Sequence, residues 1–425
     1  MNFKAIRGTN DHIPEDMAAW NFVESVARNT AAMFGYKEIS TPIFEQTALF
    51  KRAVGEGTDV VQKEMYNFND LGGNELTLRP EGTASVCRAF IEHGMHNKPY
   101  PVRLFYIAPM FRHERPQSGR LRQHHQFGVE IFGDKSAETD LEIILLGLTY
   151  LDNLGIKDLK LKVNSIGTSK TRIEFKKSFE NYMNPLVSRL SEKDQKKYEL
   201  NPIRILDSKE SATQDLLADS PKPIDFLDED SKGHWEKFVL LLEESIKMFK
   251  GVEFEIDKGL VRGLDYYSKT VFEIQPKNSN KAQSSILSGG RYDNLVENIG
   301  GPDTPAAGFG SGIERVLLNM NEKEYEELDF TQLLIIPASE EGLILSIKIA
   351  QQLRNKKIST SICSSDRSFK AQMRYANQIN AKNVIVLGSK EIESNKISIK
   401  NLSSKIEKTI DLTLENILSV LISNG

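Results

Sequence analysis

The clearest pattern in the chain is a pair of stretches, Val102–Phe111 and Gln123–Phe132, rich in β-branched and aromatic residues. Between them stand Glu114, Arg115, Pro116, Gln117, Ser118, Gly119 and Arg120, residues suited to an exposed turn. The pattern predicts two strands joined by a long charged loop. Successive side chains of a strand point to opposite faces. Arg122, His124, Gln126, Gly128 and Glu130 therefore share one face of the second strand, and Phe127, Val129 and Ile131 the other. The first of these is a poor core face. Gly128 leaves a hole flanked by polar groups, and Arg112 and Glu114 stand at the end of the first strand. The expectation is a polar floor with a cationic edge, suited to a small, zwitterionic and phosphorylated ligand.

Before this hairpin, apolar residues at helical spacing (Trp20, Val23, Ala27, Ala31, Phe34) predict a helix over 16–34. Ile39, Thr41 and Ile43 give a strand signal that Pro42 moves to an edge or an interface. Glu75–Arg79 reads as a strand leading into Arg-Pro-Glu-Gly-Thr, and Ala84–His93 as a helix. After the hairpin, Ala137–Leu151 reads as a helix and Leu159–Asn164 as a strand. From about 168 to 250 the periodicity is helical and strongly polar, which predicts an inserted helical module. Strands are expected again at Val252–Ile256, Leu260–Arg262 and Thr270–Ile274. A glycine-rich corner follows at Ser288–Asp293, then a helix opened by the run Gly308–Leu318. From Phe330 onward, apolar strands at Leu333–Pro337, Ser359–Cys363 and Asn383–Gly388 alternate with helices at Leu343–Lys356 and Phe369–Asn380. That alternation predicts a separate small α/β domain.

A chain of 425 residues exceeds one simple core, and the boundaries drawn are 1–328 and 329–425. The net charge of −4 argues against unspecific binding of nucleic acid over the whole surface. The last part is the basic one, with 13 Lys and Arg against 9 Asp and Glu from Asp329 on. Cys87 and Cys363 have neither disulfide-framework nor metal-ligand spacing, which suits a reducing compartment. There is no signal-like start and no apolar run of membrane-spanning length, so a cytoplasmic protein with no membrane partner is expected.

Four clusters carry the chemistry: Arg79–Thr83, the hairpin, Arg262–Tyr267 and Gly308–Arg315. Taken together they resemble class II aminoacyl-tRNA synthetase motifs. EISTPIFEQTALF, around Pro42, is similar to motif 1, FRHERPQSGRLRQ to motif 2 and GFGSGIERVLL to motif 3. LVRGLDYYSKTVFEI and SGGRYDNLV look like the stretches peculiar to the bacterial-type histidyl-tRNA synthetase family. The resemblance covers nearly the whole chain. It implies an α+β catalytic domain built on an antiparallel sheet with flanking helices, a helical insertion and a C-terminal α/β anticodon-binding domain. It implies a cytoplasmic homodimer joined through the motif 1 region. The activity implied is ATP-dependent ligation of L-histidine to histidine tRNA through a histidyl-adenylate, with Mg2+ accompanying ATP and no tightly bound cofactor or protein metal site.

The resemblance also assigns roles. Arg112 and Arg262 would flank the reacting carboxylate and α-phosphate, and Arg315 would meet the γ-phosphate, since fixed guanidinium charge suits two anionic reactants. Glu114 would accept from the adenine amino group and His124 would lie under the ring. Glu81, Thr83 and Gln126 would take the substrate's ammonium. Glu130 and Tyr267 would grip the imidazole, with Tyr266 and Tyr292 as walls. Arg115, Gln117 and Arg122 would meet the acceptor end of tRNA, and Arg367, Lys370 and Arg374 are candidate anticodon contacts. Each residue has a plainer reading: an arginine on a strand as a structural ion pair, Glu81 as a helix cap, the glycines as close packing of a helix. The glycine run is not G-x-G-x-x-G, and no strand closely precedes it, against a dinucleotide fold. His124 and His125, with His113, form no metal site because strand neighbours diverge. Where the family usually has phenylalanine, His124 would titrate near neutral pH, so a pH-dependent ATP affinity is expected. Leu121 stands where an aromatic is common. The competing functions are a regulatory paralogue of the same fold from histidine biosynthesis and a free-standing tRNA-binding module.

Overall fold

The computed structural model describes residues 3–117, 119–208, 210–277, 285–320 and 331–423. The chain divides into two compact units, Met1–Tyr325 and Glu326–Gly425. The boundary expected at 328/329 lies outside the described residues, as does Ser118 in the hairpin loop.

An eight-stranded sheet organises the first unit. In spatial order its strands are Lys37–Glu38, Val102–Phe111, Gln123–Phe132, Ala306–Gly312, Leu287–Arg291, Ser268–Pro276, Leu159–Ser165 and Glu253–Ile256. All pairings are antiparallel except those of the two edge strands, which are parallel to their neighbours. The predicted alternation holds. Phe127, Val129 and Ile131 are buried in one core with the helices Pro14–Met33 and Ala137–Asn153, while the polar face of the same strand looks the other way. A three-stranded sheet of Phe44–Gln46, Glu75–Leu78 and Tyr66–Asn69 forms separately. It leaves Ile43, Phe44, Phe68 and Leu71 exposed.

Several local expectations fail for identifiable reasons. Residues 39–43 are not a strand. Pro42 has no N–H to give, and the Thr41 and Pro42 carbonyls accept from Arg79 Nη1 at 2.9 and 3.2 Å instead of from a ladder. Leu260–Arg262 is irregular, because Asn164 Nδ2 takes the carbonyls of Lys258 and Leu260 at 3.2 and 2.9 Å. Ser288–Asp293 is not a corner: Leu287–Arg291 is a central strand. The glycine run does not open a helix either. Gly308, Gly310 and Gly312 lie on the strand Ala306–Gly312, and the helix begins only at Ile313.

The stretch from Ser169 to Met248 is helical, with no strand among its described residues. Phe175, Phe179, Met183, Tyr198 and Leu217 form its own small core. It packs on the sheet through the helix Glu229–Ser245, whose Trp235, Phe238 and Leu242 join the main core, while Arg172 donates to the carbonyls of Asp265 and Tyr267 at 3.0 Å each. The second unit is a five-stranded sheet ordered Thr360–Ile362, Leu333–Pro337, Asn383–Leu387, Lys396–Asn401 and Glu407–Asp411. Its first three strands are parallel and its last two antiparallel. Arg367, Lys370 and Arg374 are exposed on and just before the helix Phe369–Gln378. Among the described residues no helix is long and apolar enough to cross a membrane.

Candidate functional site

On the polar face of the large sheet, two groups, one open and one buried, gather most of the residues singled out by sequence. The open one surrounds a cavity of about 880 Å³ lined by Arg112, Glu114, His124, Gln126, Arg262 and Arg315. Each arginine is aimed by the backbone around it. Arg112 Nε donates to the Pro80 carbonyl at 2.8 Å. Arg315 donates to the carbonyls of Gly119 and Ser285 at 2.9 and 2.8 Å. Arg262 pairs with Glu273, donates to Ser288 Oγ at 2.7 Å and lies over the Tyr267 ring at 5.9 Å. Its Nε is buried with no hydrogen-bond partner among the described residues. That leaves a donor at the cavity wall unspent. Glu114 Oε2 forms an ion pair with Arg120 Nε at 2.9 Å, without the alignment of a hydrogen bond.

The second group is buried. Glu81, Thr83, Glu130, Tyr266, Tyr267 and Tyr292 are all buried. Both Glu81 oxygens accept backbone N–H groups at the start of the helix Thr83–Glu92, from Thr83 at 2.8 Å and Ala84 at 2.9 Å. The helix-cap reading of Glu81 is therefore correct for the protein alone. Glu130 accepts from Thr83 Oγ1 at 2.8 Å and from Tyr292 OH. Burial pushes the Glu130 carboxyl up to about 8, against the pull of its Tyr292 and Thr83 hydrogen bonds and with a push from the nearby Glu81 charge. The tyrosine hydroxyls of 266, 267 and 292 are likewise raised by burial. Tyr292 is set by its neighbour Arg291, fully buried and bonded to Asp140, Asp293 and the carbonyls of Asp134 and Ser136.

One residue here escaped sequence reasoning. The hole left by Gly128 is filled by Tyr106, its cross-strand partner on the first hairpin strand. The ring lies between Gly128 and Gly82, where a Cβ on either would come within 2.3 Å of it. Its hydroxyl is 3.4 Å from Glu130 Oε1. The only signal in the sequence was the glycine, since an aromatic beside a strand glycine commonly covers it. Glu273 and Ser288, which hold Arg262, gave no signal of their own. Gly308 makes room for Glu130. A Cβ there would meet Glu130 Oε2 at 2.1 Å, so its absence lets the carboxylate lie across the neighbouring strand.

His124 lines the open cavity, but its expected titration near neutral pH does not occur. Burial, then the charges of Arg112 and Arg315, lower it to about 3. Of the three loop residues assigned to tRNA, none lines this cavity. Arg115 is exposed, Gln117 faces a different cavity, and Arg122 is tied to the N-terminal arm through its backbone N–H and the Gly8 carbonyl at 2.7 Å.

Residues 8–316 match the family described as histidyl-tRNA synthetase, and residues 332–424 match that described as an anticodon binding domain. The chain belongs to the histidyl-tRNA synthetase family. Among its relatives, a histidine–tRNA ligase of Caldanaerobacter subterraneus is 42% identical over 409 residues, covering 96% of this chain and 97% of the other. One of Clostridium perfringens is 42% identical over 424 residues, 99% and 100% of the two chains. Apo histidyl-tRNA synthetase of Staphylococcus aureus superposes with a TM-score of 0.81 at 34% identity, covering 99% of this chain and 100% of that one. A protein of Bacillus halodurans described as an ATP phosphoribosyltransferase regulatory subunit/histidyl-tRNA synthetase gives a TM-score of 0.64 at 23% identity, covering 91% and 98%. That likeness speaks for the fold alone. The mixed α/β architecture, with a mainly antiparallel large sheet and a separate C-terminal sheet unit, is that of the synthetase family.

Proposed function

We infer that this chain ligates L-histidine to histidine tRNA with ATP, through a histidyl-adenylate. The observation that carries the reading is the cavity bearing three guanidinium groups, Arg112, Arg262 and Arg315, together with the buried cluster of Glu81, Glu130 and tyrosines. In the first step a histidine carboxylate oxygen bonds to the α-phosphorus while the bond from that phosphorus to the bridging oxygen breaks, and diphosphate leaves. In the second, a terminal ribose hydroxyl of tRNA attacks the activated carbonyl and AMP leaves. Both reactants of the first step are anions, so positioning by fixed positive charge dominates. Arg112 and Arg262 act at the α-phosphate and carboxylate, Arg262 through its unpaired Nε, and Arg315 at the γ-phosphate. Glu114 Oε2 is the acceptor for the adenine amino group, and neutral His124 lies against the ring. Glu81, Thr83 and Gln126 take the ammonium, since a carboxylate with two hydrogen bonds made still has lone pairs to offer. Glu130 and Tyr267 take the imidazole between Tyr266 and Tyr292.

Mg2+ comes with ATP. Glu273 is already paired with Arg262 and Glu114 lies against Arg120, which fits an ion held mainly by triphosphate and water. It would shield the phosphate charge. The exposed Phe44 and Phe68, whose rings meet at 6.1 Å beside Pro42, support a homodimer through the motif 1 region. The helical stretch 168–250 is an insertion into the catalytic domain. The loop residues Arg115, Gln117 and Arg122 meet the acceptor end, and the basic C-terminal unit, with Arg367, Lys370 and Arg374, reads the anticodon. A regulatory paralogue is disfavoured because Arg262 and the C-terminal unit are both present. A cytoplasmic location goes with the activity, since charged tRNA is used where proteins are made.

The deciding measurement is histidine-dependent exchange of diphosphate into ATP. Exchange with histidine and not with other amino acids is expected; none, or equal exchange with all, would overturn the reading. Arg262→Ala should lower the rate at least a hundredfold, the cost of losing one preorganised charge, with an unchanged circular dichroism spectrum.

A further inference from the structure

Next to the reaction cavity, with Gly119, Leu121 and Glu314 lining both, a second cavity of about 760 Å³ lies between the N-terminal arm, the hairpin loop and the helix Ile313–Leu317. His12 and Glu314 line it, and with His125 they bring one donor atom each to within 4.8 Å of one another. The three come from distant parts of the chain. His12 precedes the helix Pro14–Met33, His125 lies on the second hairpin strand, and Glu314 is on the short helix that also carries Arg315. We propose that His12, His125 and Glu314 form a binding site for one zinc-like transition-metal ion.

The arrangement has the features such a site requires. The nearest pair, His125 Nδ1 and Glu314 Oε1, is 3.0 Å apart. An ion about 2.0–2.1 Å from each donor separates tetrahedral ligands by roughly 3.4 Å, so this pair needs only a slight opening to receive it. The ion takes the place of the proton between them, and that proton moves to His125 Nε2. Glu314 is oriented beforehand, because its two oxygens accept the His125 backbone N–H at 2.8 and 3.0 Å. His12 has no ring hydrogen bond among the described residues, so its nitrogen is available to a ligand. Buried Trp20 borders both rings, 4.1 Å from His12 and 4.9 Å from His125, and supplies an apolar wall. The arm holding His12 is itself fixed. Gly8 packs so closely on the hairpin loop that a Cβ there would lie 2.8 Å from Pro116, and its carbonyl accepts from the Arg122 N–H at 2.7 Å. The open cavity leaves room for a water as fourth ligand.

Two imidazoles and a carboxylate favour Zn2+, Co2+ or Ni2+ over the hard, oxygen-seeking Mg2+ that accompanies ATP. The ion would tie the N-terminal arm to the strand of His124 and the helix of Arg315. It would thereby brace the reaction cavity at Glu314, on the wall that the two cavities share.

The test uses full-length, tag-free protein stripped with chelator, titrated with Co2+ for its visible absorption and with Zn2+ by calorimetry in 5 mM Mg2+, an amount chosen to be on the order of cellular levels. One equivalent is expected, with a tetrahedral Co2+ spectrum. His12→Ala should weaken binding at least tenfold, and His12→Cys, which supplies another zinc donor, should restore it. Because His12 is partly exposed and precedes the first helix, both variants are expected to fold, which circular dichroism checks. No binding by the unaltered protein, or equal binding by His12→Ala, overturns the proposal.

Discussion

The Tyr106 ring offers the sharpest test of how the buried cluster is built. Gly128→Ala places a methyl 2.3 Å from Tyr106 Cζ and 2.4 Å from its hydroxyl oxygen. Carbon atoms rest at about 3.5–4.0 Å, so the ring has to move by more than about 1 Å. It has nowhere to go. On its other face is Gly82, where an added Cβ would be 2.3 and 2.5 Å from the same two atoms. The overpacking should cost about 1–3 kcal/mol of stability. It should also disturb Glu130, which shares its carboxylate between Tyr106, Thr83 and Tyr292. Losing one well-made hydrogen bond between neutral groups costs about 0.5–1.5 kcal/mol, so KM for histidine should rise roughly twofold to tenfold, and KM for ATP much less. Urea denaturation and histidine-dependent exchange at saturating ATP measure the two effects. Combining Gly128→Ala with Tyr106→Leu removes the clashing atoms, and the stability losses should then be strongly non-additive. Unchanged stability and histidine KM in Gly128→Ala, or strict additivity in the double variant, would refute the argument.

Other outcomes follow from charge. With its carboxyl raised to about 8, Glu130 is protonated at neutral pH and donates to a neutral imidazole. Histidine affinity should therefore fall as pH rises past 8, by about tenfold per unit, and Glu130→Gln should flatten that limb; parallel profiles for the two proteins would count against it. His124, lowered to about 3, stays neutral between pH 6 and 8. KM for ATP should thus show the same pH dependence in the native protein and in His124→Phe over that range, and a difference would show that the imidazole titrates after all. Arg291→Ala strands the buried Asp140 carboxylate without its guanidinium, which should destabilise the first unit by about 3–5 kcal/mol in denaturant unfolding. A change below about 1 kcal/mol would mean that the pair contributes little.

The hairpin was legible because a period of two is written directly in side-chain polarity, and both its strands and its faces came out as expected. Glycine-rich stretches were not, because the same residue serves turning and close approach. Gly289 sits in a strand where a Cβ would meet the Gly308 carbonyl at 2.2 Å, so it marks two backbones pressed together, which composition does not distinguish from a corner. The segments 39–43 and 260–262 misled for another reason. Their carbonyls are claimed by the side chains of Arg79 and Asn164, partners far off in sequence. A β-like composition states only that a strand would be tolerated; what decides is which donor reaches the backbone first.

The site itself divides along the same line. The face carrying Gln126, Gly128 and Glu130 was correctly read as polar floor, and the arginines around it do line one cavity. What Gly128 makes room for is a different matter, because it depends on the residue opposite. Register across the hairpin is set by where the loop closes. Here it pairs Gly128 with Tyr106, while the neighbouring strand brings Gly310 to the other side. The hole is thus filled by an aromatic ring whose hydroxyl points to Glu130. Strand alternation explains why His124 faces the reaction cavity while His125, next in sequence, turns to Glu314; Glu314 lines both cavities and its neighbour Arg315 the reaction cavity. A substitution at any of these four should be assayed for both cavities, since each pair shares a backbone that a shift on one side must move on the other.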